Sequence, residues 1–101
     1  MLKYWVWLSE LKGLRNQTRL ALLRRFGDPE SIFYADADEL LLTDGVERSQ
    51  LKLLENHDLA PADRILADCQ RLDIRLLTLS DAAYPGRLKN IYDPPALLYC
   101  K

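Results

Sequence analysis

Asp93-Pro94-Pro95 is the stretch that most limits how this chain of 101 residues folds. Proline fixes φ, lacks a backbone N–H and drives the residue before it out of the helical region, so the backbone is extended here and no helix crosses it. Ala96-Leu97-Leu98-Tyr99-Cys100 follows at once, an apolar run that reads as a strand. Upstream, Ile74-Arg75-Leu76-Leu77-Thr78-Leu79 is a second short apolar run suited to a strand, punctuated by Ser80-Asp81. Between them Pro85 opens a predicted helix of one or two turns that runs to about residue 91, because a missing N–H costs nothing at the first helical position. A strand that starts this close to the last residue is expected to draw its sheet partners from a domain beyond it. On that reading residues 74–79 pack on the helical part of the chain, while residues 96–101 are loosely held and exchange their amides fast from 97 to 101. Protection there would mean that the edge is met by residues 74–79 or by a second copy.

Everything before this segment has helical spacing. Over residues 3–11, Tyr4, Trp7, Leu8 and Leu11 recur three and four apart and place large apolar groups on one face, which predicts a core helix. Gly13 and Asn16 interrupt it, and Asn16 is also a good N-cap for a second helix over 17–26 with Leu20, Leu22, Leu23 and Phe26 apolar. Gly27 stands where a left-handed cap is expected. Asp28-Pro29-Glu30 offers a capped start for a short helix over 29–35, with Ile32 and Phe33 as its core contacts. The outline then repeats: a helical segment over 38–42, a turn at Thr43-Asp44-Gly45-Val46, and a helix over 47–56 with Leu51 and Leu54 inward. Pro61 opens a last long helix over 62–72, in which Ile65, Leu66, Cys69 and Leu72 face inward.

A net charge of −1 hides a steep gradient. Residues 1–27 hold Lys3, Lys12, Arg15, Arg19, Arg24 and Arg25 against Glu10 alone, whereas residues 28–63 hold ten acidic residues against Arg48 and Lys52. A basic quarter beside an acidic middle fits two readings equally, an anion-binding face with a repelling face on one small domain, or two solvated helix faces. No apolar run approaches the roughly 20 residues that span a bilayer, and the first residues lack the basic-then-apolar order of a signal peptide, so the cytoplasm is the expected location and no membrane partner is expected. Cys69 and Cys100 stand far apart with no Cys or His at ligand spacing, which supports neither a disulfide framework nor a zinc site.

Two helix, hairpin, helix units in tandem are a recurring way to grip DNA without reading its sequence. A glycine turn lets backbone N–H groups approach a phosphate, and the next helix presents its N-terminus to it. In the first unit Gly13-Leu14-Arg15 replaces the usual Gly, apolar, Gly, so a glycine is lost and a cation gained. Lys12, Gly13, Arg15, Arg19 and Arg25 are therefore the candidate DNA contacts, with Arg24 beside them. In the second unit Gly45-Val46-Glu47 sets a carboxylate where a phosphate would sit, and a structural role is expected there.

Leu11-Lys12-Gly13-Leu14, then Leu22-Leu23-Arg24-Arg25-Phe26-Gly27-Asp28-Pro29-Glu30, and above all the strand Ile74 to Leu79 followed by Tyr84-Pro85, Leu88, Ile91, Asp93-Pro94-Pro95 and Leu97-Leu98-Tyr99, resemble the N-terminal part of the DprA/Smf family of DNA-processing proteins. The likeness covers nearly the whole chain, and its final third is the most diagnostic. The resemblance implies a mainly α fold: a sterile-alpha-motif-like or tandem helix-hairpin-helix domain over residues 1–72, then a strand-helix-strand lead-in over 73–101 to a Rossmann-like domain. It also implies that this larger domain binds single-stranded DNA, dimerises and helps load RecA during natural transformation and DNA recombination. The family's main DNA site, a Gly-Ser-Arg phosphate loop, would lie beyond residue 101.

Chemistry of other kinds finds little purchase. His57 is the only histidine and stands at a polar helix end, where a contact with the C-terminal dipole is expected. No Ser or Cys has a base within a readable motif, and no glycine-rich phosphate loop occurs, so neither an enzyme, a cofactor nor a small-molecule substrate is expected. Trp5, at the edge of the first helix's apolar stripe, is the aromatic residue placed to stack on a base. Two function classes remain: a DNA-binding accessory module, and a protein-interaction module of the self-associating sterile-alpha-motif kind without direct DNA contact.

Overall fold

The structure is a computed structural model that describes residues 2–100. Its order is α1 (Leu2–Glu10), α2 (Asn16–Phe26), α3 (Pro29–Phe33), α4 (Ala37–Leu41), α5 (Arg48–Leu54), α6 (Ala60–Arg71), β1 (Arg75–Thr78), α7 (Gly86–Lys89) and β2 (Leu97–Cys100). Helix α1 sets the arrangement because Tyr4, Trp5, Val6, Trp7 and Leu8 are all buried. A helix apolar on nearly every side has to be enclosed, and α3, α6 and β2 pack around it. Leu8, Leu22, Ile32 and Leu54 sit at the centre of the core with next to no exposed surface, each worth roughly 1.5–3 kcal/mol of burial.

Local signals act where expected at several joints. The Gly27 N–H closes α2 onto the Leu23 carbonyl at 2.8 Å, in positive-φ backbone. The Asp28 carboxylate accepts from the Ser31 N–H at 2.8 Å and caps α3, with Pro29 at its first position. Helix α6 starts with Ala60, just before Pro61, and ends in a Schellman turn: the Ile74 N–H reaches the Cys69 carbonyl and the Asp73 N–H reaches the Gln70 carbonyl. Asp73 carries the turn's left-handed conformation at φ 57°, where glycine is the usual occupant.

Four expectations need correction. Asn16 does not cap α2; Arg15 holds the N-cap position with no capping bond from its side chain, and the Asn16 amide instead donates to Asp93 Oδ1 and the Pro94 carbonyl. Leu72 does not face inward, because α6 has already ended at Arg71 and its side chain turns to solvent; Ala62 takes an inward place. Trp5 is not an edge residue but part of the core, covered by the C-terminal segment as well as by helices.

The fourth correction concerns the sheet. Strands β1 and β2 pair with each other, antiparallel, in the register Arg75 to Cys100 and Thr78 to Leu97. Asp93-Pro94-Pro95 makes this possible by turning the chain back without a helix. Asn16 and Gln17 of α2 grip the turn at Asp93 Oδ1, each at 2.8 Å, and the Tyr84 hydroxyl donates to the Pro95 carbonyl at 2.7 Å. Ala96 and Leu97 enter the same apolar cluster as α1, and the Tyr99 hydroxyl donates to Glu10. Residues 97–100 are therefore held rather than loose, while the end of that expectation, at residue 101, lies outside the described residues.

Candidate nucleic-acid interface

The two units, α1 with α2 and α4 with α5, lie with their glycine turns against each other. Gly13 and Gly45 both have positive φ, 88° and 86°, a conformation that carries a steric cost for residues with a Cβ. Behind each glycine a buried apolar residue, Leu14 or Val46, anchors the turn. Each following helix then offers its third residue to the opposite turn. The Gln50 amide donates to the Gly13 carbonyl at 3.3 Å and accepts from the Arg15 N–H at 3.3 Å. The Thr18 hydroxyl donates to the Gly45 carbonyl at 3.4 Å, and Arg15 Nη2 donates to the same oxygen at 3.1 Å. A Cβ on Gly45 would stand 3.0 Å from Thr18 Oγ1, a contact that closes only if the Thr18 side chain gives way by a few tenths of an ångström.

The candidate contact residues divide sharply on this frame. Lys12 is exposed and lines, with Lys52 and Glu10, a cleft of about 620 Å³ between α1, α5 and α6. Arg15 is exposed beside the Gly45 turn. Arg19 is turned inward: Nε donates to the Leu8 carbonyl and Nη2 to the Leu11 carbonyl, both at 2.8 Å, which closes the C-terminus of α1. Desolvation lowers its guanidinium pKa from the ordinary value, with the Glu10 charge opposing. Arg25 caps α4 in the same manner, donating to the Glu39 carbonyl and, at 3.1 Å, to Thr43 Oγ1. These two guanidinium groups are engaged with helix-end carbonyls; at the first turn Lys12 is exposed, and Arg15 is exposed while giving one donor to the Gly45 carbonyl. At the second turn Asp44 and Glu47 are exposed.

Arg24 is exposed at the far end of α2 and borders three adjoining depressions. The first runs from Arg15 and Gln17 along α2, the second lies towards Leu42 and Thr43, and the third is a cleft of about 370 Å³ between α2 and the C-terminal segment. Trp5 and Leu79 line this cleft, with Lys89 and Tyr92 on its border, and Tyr92 is 86% exposed. The sequence alone does not single out Lys89 or Tyr92, because the exposure of a tyrosine beside a Pro-Pro turn is settled by tertiary packing.

His57 is placed by stacking rather than by the end of a helix. It lies in the loop after α5, its ring stacked on Phe33 at 4.3 Å. Among the described residues no cluster of His, Cys, Asp and Glu is arranged to hold a metal ion, and no helix is long and apolar enough to cross a membrane. Compared with protein-family models, with curated proteins and with solved structures, the chain finds no match.

Proposed function

We propose that this chain is the N-terminal module of a DNA-processing protein that acts on incoming single-stranded DNA and assists RecA loading in natural transformation. In this reading it is a binding module of the cytoplasm rather than an enzyme. Its tandem helix-hairpin-helix core makes an auxiliary backbone contact through the first turn, and its strand-helix-strand segment leads into a Rossmann-like domain. The observation that carries the DNA contact is the asymmetry of the paired turns. Both have the glycine that lets a backbone come close, but at the first the solvent-facing charges are the cations Lys12 and Arg15, whereas at the second Asp44 and Glu47 outnumber Arg48. The second, with Asp44 and Glu47, serves to hold the first in place.

A second reading has its own observation. Helix α4 carries Asp38 and Glu39 next to Leu41, 40% exposed, and is followed by Leu42, 74% exposed. An apolar pair ringed by carboxylates suits a protein partner or self-association in the sterile-alpha-motif manner.

Titration of a labelled single-stranded oligonucleotide at several salt concentrations separates the two. DNA contact gives a Kd on the order of 10⁻⁴ to 10⁻⁶ M that weakens steeply with salt. Lys12→Ala with Arg15→Ala flattens the salt slope by ~0.7 for each phosphate no longer neutralised. A folded variant with an unchanged slope would take the DNA role from this turn and leave the protein-interaction reading.

A further inference from the structure

We infer that the cleft between α2 and the C-terminal segment is a second binding site for single-stranded nucleic acid, separate from the glycine turns, in which a base stacks on Tyr92 while neighbouring phosphates meet Arg24 and Lys89. The inference rests on the nucleic-acid reading above and places part of the strand about one helix length away from the turns.

Three observations converge on it. The cleft is lined by two cations and by no carboxylate: of the three acids that adjoin lining residues in the chain, Asp93 accepts from Asn16 and Gln17, Asp81 from Thr78, and Asp28 from the Ser31 N–H. Its floor is apolar, formed by Trp5 and Leu79, so a flat ring entering it meets hydrocarbon rather than water. Tyr92 and Ile91 are 86% and 48% exposed on its border. Large apolar groups left in water at a cationic edge are the arrangement used for sequence-tolerant grip on single strands, with aromatic faces for bases and cations for the backbone.

The surface between the two sites is continuous. Arg15 and Arg24 share one shallow depression along α2, which Asp44 also lines, so two cations face one carboxylate there, and Arg24 in turn borders the cleft. A flexible single strand can follow this line, whereas a duplex cannot insert a base into a closed-bottomed cleft without unstacking it. The backbone at Tyr92 is fixed for the purpose: its carbonyl accepts from Gln17 Nε2 at 2.9 Å, so its ring is offered from a tethered turn.

The test uses the intact chain and a fluorescein-labelled oligothymidine, with sedimentation of the protein alone alongside. Tyr92→Ala is expected to weaken binding about tenfold without shifting the melting temperature, since the ring is exposed. Arg24→Glu with Lys89→Glu is expected to abolish measurable binding, while the same charge change at Arg64 and Arg71 on α6 leaves most of it. Saturation should quench Trp5 emission, an effect lost in Trp5→Phe and retained in Trp7→Phe. If Tyr92→Ala and the Arg24/Lys89 variant bind like the unaltered chain while Lys12→Ala/Arg15→Ala does not, the cleft proposal fails and the turn contact stands. If the unaltered chain does not bind, both fail. If Tyr92→Ala instead breaks a dimer of the free protein and leaves nucleic-acid affinity unchanged, the cleft belongs to self-association and the proposal is overturned.

Discussion

Thr18 and Gln50 each hold the glycine of the other's turn: the Thr18 hydroxyl reaches the Gly45 carbonyl and the Gln50 amide reaches the Gly13 carbonyl. They stand at the same place in their helices, so the two units interlock through equivalent positions. Gln50 is buried and makes two of the bonds, to the Gly13 carbonyl and the Arg15 N–H. Gln50→Leu leaves both backbone groups without their partner and should cost about 2 kcal/mol in denaturant unfolding. A loss below ~0.5 kcal/mol would mean that water replaces the amide and that the turns are not locked together.

The two glycines should respond differently to a methyl group. Gly13→Ala meets only the two Leu53 methyl carbons, at 3.4 and 3.9 Å, and should cost about 1 kcal/mol for its positive φ. Gly45→Ala carries the same backbone cost and also drives into Thr18 Oγ1 at 3.0 Å, so it should cost more. Thr18→Ala as background should remove the excess, a coupling that a double-mutant cycle reads directly.

Arg19 should prove structural. Its two donors cap carbonyls of α1 from a half-buried position, and bonds from a charged group of this kind are worth ~1.5–3 kcal/mol. Arg19→Ala should lose about that much stability. Arg19→Lys should recover little of it, because an ammonium lacks the planar fork that reaches two carbonyls together. Arg15→Ala, in contrast, should melt within a few degrees of the unaltered chain.

These residues show where sequence reasoning reaches and where it stops. The apolar stripe of α1, the Asp28-Pro29 start of α3 and the paired glycine turns were legible because each is encoded within one or two turns of helix. The capping by Arg19 and Arg25 was not, since a cation's spacing on its own helix says nothing of which neighbouring helix end it meets. Asn16 looked like a cap on local grounds and was recruited by Asp93, far along the chain. Strand pairing was misjudged for the same reason: a strand's partner is a tertiary fact. Trp5 looked marginal on a helical wheel and is buried because the C-terminal segment covers that flank of α1.

Asp73 offers a gain. Its left-handed φ of 57° costs a residue with a Cβ what glycine does not spend, so Asp73→Gly should stabilise by about 0.5–1 kcal/mol. Thermal melting checks it, and a destabilised variant would show that the Asp73 side chain contributes more than its backbone costs.

Alkali should loosen the fold. The hydrogen bond to Tyr34, and after it burial, raise the Tyr4 hydroxyl from 10.0 to about 12. Burial, with the Glu10 carboxylate, raises Tyr99 as well, and burial raises Tyr84. A pKa raised by folding means that the folded state favours the protonated phenol. The stabilisation is complete below pH 10, falls as pH rises from 10 and is gone above the folded value near 12. The melting temperature should hold to about pH 9 and then decline, and Tyr34→Phe should shrink the part due to Tyr4.

The nucleic-acid account stands or falls on where a strand touches the chain. Amide shift mapping of the ¹⁵N-labelled protein with oligothymidine reads this residue by residue. Shifts are expected at Lys12, Gly13 and Arg15, along the outer side of α2 to Arg24, and at Ser80, Lys89 and Tyr92. Shifts confined to α4 and its acidic flank, or none at saturating oligonucleotide, would contradict it.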